Sequence, residues 1–497
     1  MSGATHGRAG GARPLHALGA VELLAGYRSG ALSPLDAAEA VFARIDRWAP
    51  HLNAFYALDR DGALAAAAAS ARRWRAGTPQ GALDGVPVTI KENVATRGVP
   101  VPLGSAATEL VPAPCDAPPA ARLREAGAVI LGKTTMPDYG MLSSGLSSFH
   151  PLTRNPWNLA MNPGGSSAGA AAAAAAGCGP LHLGTDIGGS LRLPAGWCGI
   201  VALKPSHGRV PIHPAYYGRV AGPMTRSVAD AALMMSVLSA QPSTPAGLDG
   251  PPAEGFDGAP PDPAVAFDPT ALPPQAIDWQ ALDLDPAPLR IGVLRGAGWG
   301  LAVDPQIAAA VDAAAQAFAV AGARVEDLAP FTTRRMIDGL DRFWRMRAWL
   351  DLSALPAGRQ ALVLPYIRAW AAPAARLSGA EVFDGFSQMQ ALREAAFAAT
   401  RGFDFVLSPT SPVPTFAAEA ASPLDDPQRP FEHIAFTLPF NMSGQPAASI
   451  DCGRGADGLP IGLQIAGRRF DDLGVLRLAR LWERLRGDLS AWPEPPG

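Results

Sequence analysis

The sequence predicts an α/β protein built on a parallel or mixed sheet, and two observations carry that reading. One is a change of texture near Asp84, where long Ala-rich helical patterns give way to short β-branched runs broken by Gly and Pro. The other is a strand–helix–strand succession over 289–328, because two strands joined through a helix run parallel.

Taken in order, residues 15–80 read as amphipathic helices. Ser33-Pro34 is an N-cap followed by proline at the first helical position, and Leu35–Trp48 follows with helical spacing. Leu64–Arg75 continues the pattern. Val86–Ile90 and Ala128–Leu131 read as buried strands, the second preceded by a helix ending at Gly127. Residues 242–288 hold 12 prolines and few periodic apolar positions, which predicts a long excursion or linker. Leu289–Leu294 reads as a strand, Asp304-Pro305 caps a helix running to Gly322, and Ala323–Leu328 resumes as strand. Residues 333–376 read as aromatic, Arg-rich helices, 380–400 as another helix, and Asp404–Leu407 as a strand before a Pro-rich loop.

Composition excludes several classes. Of 497 residues, 17% are charged and 48% apolar, and 41 Lys+Arg against 44 Asp+Glu leave a net charge of −3. No run of like charges offers a footprint for nucleic acid. Cys115, Cys178, Cys198 and Cys452 are scattered and read as buried thiols, not as a disulfide framework. The N-terminus has no apolar core of a secretory signal, and no stretch is long and apolar enough to span a membrane, so a cytoplasmic address is expected. Only three of the basic residues are lysine: Lys91, Lys133 and Lys204.

The densest Gly/Ser region holds two clusters, Pro163–Gly169 (PGGSSAG) and Gly184–Arg192 (GTDIGGSLR). Familiar nucleophile patterns fail here. The G-x-S-x-G elbow is broken by Arg192, and the positions three before each lysine are Val88, Ile130 and Val201, none of them serine. Neither a P-loop nor a dinucleotide-binding glycine motif occurs, and the eight histidines lack zinc-binding spacing, so no cofactor and no metal are expected.

These clusters, as Gly164–Gly169 and Gly184–Ala195 (GTDIGGSLRLPA), resemble the signature of the amidase signature family. The likeness extends to Gly85–Asn93 (GVPVTIKEN), Gly132–Pro137, Arg154–Trp157, Leu203–Pro205, Gly444–Ala447 and Gly458–Gln464. It covers most of the chain apart from the Pro-rich segment and the 333–376 helices, and Ala168 stands where the family commonly has glycine. The resemblance implies an amidase-signature fold: one domain over 1–497, with a large mixed β-sheet covered by helices on both faces. It also implies a Ser–cis-Ser–Lys triad. Ser190 matches the nucleophile, Ser166 the bridging serine on a cis peptide, and Lys91, ending the apolar strand, the base. Ile187, Gly188, Gly189 and Ser190 match the oxyanion loop.

The chemistry suits those residue types. A serine hydroxyl attacks only when a neighbouring base takes its proton. Lysine serves as that base near pH 7 only if burial lowers its pKa from about 10.4. Arginine stays charged and cannot replace it. Lys133, Lys204, Asp186 and Arg192 read as structural. Pocket walls are expected from loop 94–104, segment 138–150, the 333–376 helices and the surroundings of Phe440. Gly140, Met141, Arg209 and Phe440 are the candidate substrate-binding residues, although Arg209 also reads as an ordinary ion-pair arginine.

The resemblance is to broad-specificity amidases, aryl acylamidases and related nylon-oligomer and carbamate hydrolases. The expectation is therefore a monomeric or homodimeric hydrolase of apolar or aryl amides, esters or carbamates, acting through an acyl-serine without nucleic acid or membrane partners. The alternative is a transamidating amidotransferase subunit working in a multi-subunit complex. Leu193 and the run Ser206–Pro211 depart from the pattern expected of such a subunit. Intact Lys91, Ser166 and Ser190 argue against a non-catalytic scaffold.

Overall fold

Short apolar runs pair into one eleven-stranded mixed sheet in the computed structural model, which describes residues 13–240, 270–272, 275–487 and 492–496. In chain order the strands are β1 (Phe55–Leu58), β2 (Pro87–Lys91), β3 (Val129–Thr134), β4 (Leu181–Asp186), β5 (Val201–Lys204) and β6 (Val220–Thr225). They continue as β7 (Arg290–Val293), β8 (Arg324–Asp327), β9 (Phe405–Pro409), β10 (Ala447–Arg454) and β11 (Pro460–Gly467). Across the sheet the order is β1-β3-β2-β4-β6-β5-β10-β11-β9-β7-β8. Parallel pairing joins β2 to β3 and β4, and β7 to β8 and β9. The remaining neighbours are antiparallel.

Alternation along the strands divides the core into two faces. Leu181 and Leu183, Val201 and Leu203, and Leu463 and Ile465 share one cluster with residues of the helices Ala20–Ser29, Val228–Leu238, Pro305–Val320 and Asp472–Leu485. Ala202 and Met224 lie on the opposite face with Ala170, Ala174 and Ala195, from the helices Ala168–Ala175 and Arg192–Cys198, and with Leu191 just before the second. All eight residues of Ala168–Ala175 are buried. Their small side chains let that helix lie close against the sheet.

The expected caps are present. The Ser33 side chain accepts from the Leu35 N–H at the start of Pro34–Leu52, and Asp304 accepts from Gln306 at the start of Pro305–Val320. The aromatic helices Arg334–Ser353 and Pro365–Ala371 pack with Gly379–Thr400 through Trp344, Trp370, Met389 and Leu392. This cluster also takes in Leu193 and Trp197, so the helices sit over the end of the sheet that carries the signature loops. Most of the Pro-rich run falls outside the described residues. At its described end Trp279 is buried in the main core, and Ala281 accepts a 2.6 Å hydrogen bond from Arg477 Nε.

Candidate active site

Strands β2 and β4 are adjacent and parallel, with Val88 opposite Leu181 and Ile90 opposite Leu183, so they end side by side. Lys91 is the last residue of β2 and Asp186 the last of β4. The loops beyond them leave from the carboxyl edge of the sheet, where ligand sites of open α/β sheets form. Ser166 and Ser167 stand immediately before the Ala168–Ala175 helix, and the Gly165–Ser166 peptide bond is cis.

Lys91 is fully buried, with Nζ 2.8 Å from Ser166 Oγ and 3.1 Å from each of Ser167 Oγ and Thr185 Oγ1. Burial, reinforced by the charge of Arg219, holds its pKa well below the ordinary lysine value. A neutral amine has two N–H donors and one lone pair, and three hydroxyl partners satisfy all of them. Ser166 and Ser190 both face a cavity of about 530 Å³, whereas Lys91 lies behind them. The Ser166 hydroxyl thus lies between the cavity and the Lys91 amine.

The loop after β4 is held by a buried ion pair. Arg192 Nε and Nη2 lie 3.0 and 3.1 Å from the two Asp186 carboxylate oxygens. Arg192 also donates to Gln464 Oε1 at 2.6 Å, Asn441 Oδ1 at 2.6 Å and the Thr437 carbonyl at 2.9 Å. Burial alone would raise the Asp186 carboxyl, but Arg192 brings it down to about 2. Asp186 in turn accepts from the N–H groups of Gly189 at 2.8 Å and Leu191 at 3.1 Å. Gly189 adopts φ +131°, and a Cβ there would come within 2.5 Å of Thr437 Oγ1. Of the four expected oxyanion donors, Gly189 is therefore turned away from the cavity and spent on Asp186. Ile187, Gly188 and Ser190 line the cavity, and no hydrogen bond from their N–H groups occurs among the described residues. Such a run of free donors beside a serine can stabilise a developing oxyanion.

Gly140 and Met141 line the cavity as expected, and a Cβ on Gly140 would lie 3.3 Å from Ser166 Oγ. Two expected pocket residues lie elsewhere. Arg209 is buried in an ion pair with Asp472 at 3.1 Å and donates to Gln275 and the Phe470 carbonyl. Phe440 is fully buried in a separate cluster with Phe436, Val406 and Leu294. Both are consumed by packing, so neither can reach a substrate. Lys133 hydrogen-bonds the Val94 carbonyl and Thr96 Oγ1, and Lys204 the Pro205 carbonyl. Both are anchors of loop backbone.

Sequence reasoning missed one wall of the cavity, formed by His213–Tyr216 with Arg219, and a second from Ala421, Ser422, Pro430, Phe431 and Ile434. It also missed Thr185, Ser167 and Asn93 behind the serines. Asn93 Nδ2 lies 3.1 Å from Thr185 Oγ1. The wall positions carry ordinary residue types that no spacing singles out, whereas Asn93, Ser167 and Thr185 stand inside the signature motifs.

The geometry places two serines, Ser166 and Ser190, on one cavity with a buried lysine behind them, hydrogen-bonded to Ser166. A family model described as Amidase matches residues 36–476, and the chain belongs to the amidase signature family. Its members act on C–N bonds, and so does this enzyme.

Among curated relatives, a glutamyl-tRNA(Gln) amidotransferase subunit from Myxococcus xanthus is 35% identical, covering 93% of this chain and 96% of its own. The protein of the same name from Roseiflexus castenholzii is 34% identical over 97% and 98%. A solved bacterial aryl acylamidase superposes with a TM-score of 0.83 at 28% identity, covering 95% of this chain and 97% of its own. The corresponding glutamyl-tRNA(Gln) amidotransferase subunit from Thermotoga maritima superposes with a TM-score of 0.75 at 25% identity, covering 97% and 99%.

These relatives correct the expectation of a free-standing hydrolase of apolar or aryl amides. The near full-length curated relatives carry the amidotransferase name that was the alternative. The residues that argued against it have structural duties instead. Leu193 packs beside Trp197, and Ser206 and Arg209 bind Asp472.

Proposed function

We propose that the chain is the amide-cleaving subunit of a transamidating enzyme of the glutamyl-tRNA(Gln) amidotransferase kind. In this reading Ser190 attacks a donor carboxamide, Ser166 passes the Ser190 proton to Lys91, and the N–H groups of Ile187, Gly188 and Ser190 hold the oxyanion. The C–N bond breaks as the proton returns through Ser166 to the leaving nitrogen, releasing ammonia and an acyl-Ser190. Water then hydrolyses that ester.

The observation that carries the reading is Lys91 Nζ at 2.8 Å from Ser166 Oγ, deep behind two cavity-facing serines, in a chain 35% identical to an amidotransferase subunit over nearly its full length. The net charge of −3 supports leaving RNA binding to partner proteins.

The test is isolation of the tagged full chain from its native cell with whatever partners come with it. Amide transfer from glutamine to glutamyl-tRNA(Gln) and glutamate release are then measured for wild type and Ser190→Ala. Ser190-dependent transfer is expected. A chain that isolates without partners and releases no glutamate from glutamine would overturn the reading.

A further inference from the structure

The carboxylate next to the base in sequence has no part in the proton relay, yet it is fully buried. One oxygen of Glu92 accepts from the Gly104 N–H and the other from His150 Nε2. A carboxylate only accepts, so this imidazole nitrogen carries a proton. Gly104 and His150 end the two segments expected to wall the cavity. Segment 94–104 lines it through Ala95, Val101 and Leu103, and segment 138–150 through Tyr139–Ser143. The segments also meet each other at this point. The Gly104 carbonyl accepts from Ser147 Oγ at 2.6 Å, and the Leu103 carbonyl from the Tyr139 N–H at 2.6 Å. Gly104 holds φ +66°, and a Cβ on it would lie 2.4 Å from the Pro137 carbonyl oxygen, so the contact has no slack. The His150 ring is held in turn by Tyr56 and Phe149, with centroids 5.3 and 4.9 Å away.

We infer that Glu92 is a positioning residue, whose carboxylate knots both cavity walls to the strand end that carries Lys91 and sets one negative charge beside that base. The inference rests on Lys91 and Ser190 in the roles given above and goes beyond them by assigning their buried neighbour. Burial, and after it Arg219, lowers the Lys91 pKa, while Asp186 and Glu92 pull it upward. Lys133 on β3 and Tyr56 on β1 lie in the field of the same carboxylate. Glutamine at position 92 separates the knot from the charge. Its amide oxygen accepts from Gly104, and its NH2 donates to His150 Nε2 once the imidazole takes its other tautomer.

The test is the rate at which a hexyl fluorophosphonate labels the full chain, followed by intact mass over a range of pH. Ser190 Oγ displaces fluoride from phosphorus, and its proton passes through Ser166 to Lys91. The dependence on probe concentration separates a binding constant from a limiting rate. Glu92→Ala should weaken binding about tenfold, the scale of one lost charged hydrogen bond. Its limiting rate at high pH should stay near wild type, because the relay itself is intact. Glu92→Gln should bind the probe like wild type, and the acid limb of its limiting rate should move to lower pH. His150→Phe keeps a ring against Tyr56 and Phe149 but removes the hydrogen bond. It should weaken binding as Glu92→Ala does, and it serves if that variant does not fold.

Wild-type binding in both Glu92→Ala and His150→Phe, or an acid limb that stays in place in Glu92→Gln, overturns the assignment. Binding lost as fully in Glu92→Gln as in Glu92→Ala overturns it too, since the knot needs only the hydrogen bonds. Labelling of Ser190→Ala at the wild-type rate is a separate failure. It sinks Ser190 as the nucleophile, while the binding constants still judge Glu92.

Discussion

In the proposed mechanism Lys91 is the residue on which the chemistry turns, because three hydroxyls and complete burial make a neutral amine its comfortable state. Lys91→Arg restores a permanent charge at that spot and should lower kcat by about 10²–10⁴, the usual worth of a general base. Single-turnover release of ammonia from the donor amide measures it, and near wild-type kcat in Lys91→Arg would place the base elsewhere. Arg219 pulls the Lys91 pKa down, so Arg219→Met should let it rise. Catalysis needs the neutral amine, and a higher pKa therefore moves the acid limb of the kcat/KM profile to higher pH. An unmoved limb would mean that Arg219 does not act on Lys91 through its charge.

Among local elements, the loop after β4 depends on Asp186 holding two backbone N–H groups while Arg192 holds Asp186. Asp186→Asn leaves a buried guanidinium without its counter-charge, a loss that typically costs about 3–5 kcal/mol. A urea-denaturation midpoint within error of wild type would rule out this role. The carboxyl titrates near 2 in the folded chain against about 3.9 unfolded. Its contribution is thus complete above about pH 4 and is lost as pH falls toward 2. The capped helices and apolar strands on either side of this loop were plain in the sequence, since Ser33, Asp304 and Val86–Ile90 act through neighbours along the chain. Strands β4, β5, β6, β10 and β11 were harder to see. Several carry Gly or Pro, and most of their residues are buried on both faces, which removes the polar–apolar alternation that marks a half-buried strand.

For the whole molecule, three buried lysines bias stability with pH. Burial pushes Lys133 and Lys204 down to about 7, and Lys91 is also well below its ordinary value. Between pH 7 and about 9 the unfolded chain binds more protons at these sites than the folded one does, so stability should rise with pH across that window. Above it, the thiols of Cys178, Cys198 and Cys452, which burial raises, offset the trend, because they ionise first in the unfolded chain. Urea midpoints at pH 7 and pH 9 check the sign, and a fall across the interval would contradict it.

The sequence alone was enough for the α/β class and the signature loops, and it nominated Lys91, Ser166 and Ser190, because each stands at a fixed place within its own short motif. Every other Lys/Arg position is arginine, so three lysines inside those motifs already made Lys91 a candidate base. Only the tertiary structure decided what those residues face. It set Arg209 against Asp472 and Phe440 inside a core cluster, and turned the Gly189 N–H onto Asp186. It also brought Arg219 and Arg347, 128 positions apart in the chain, to one cavity wall. Such contacts form between segments whose meeting is set by strand order and helix packing, and no local pattern of residues encodes them.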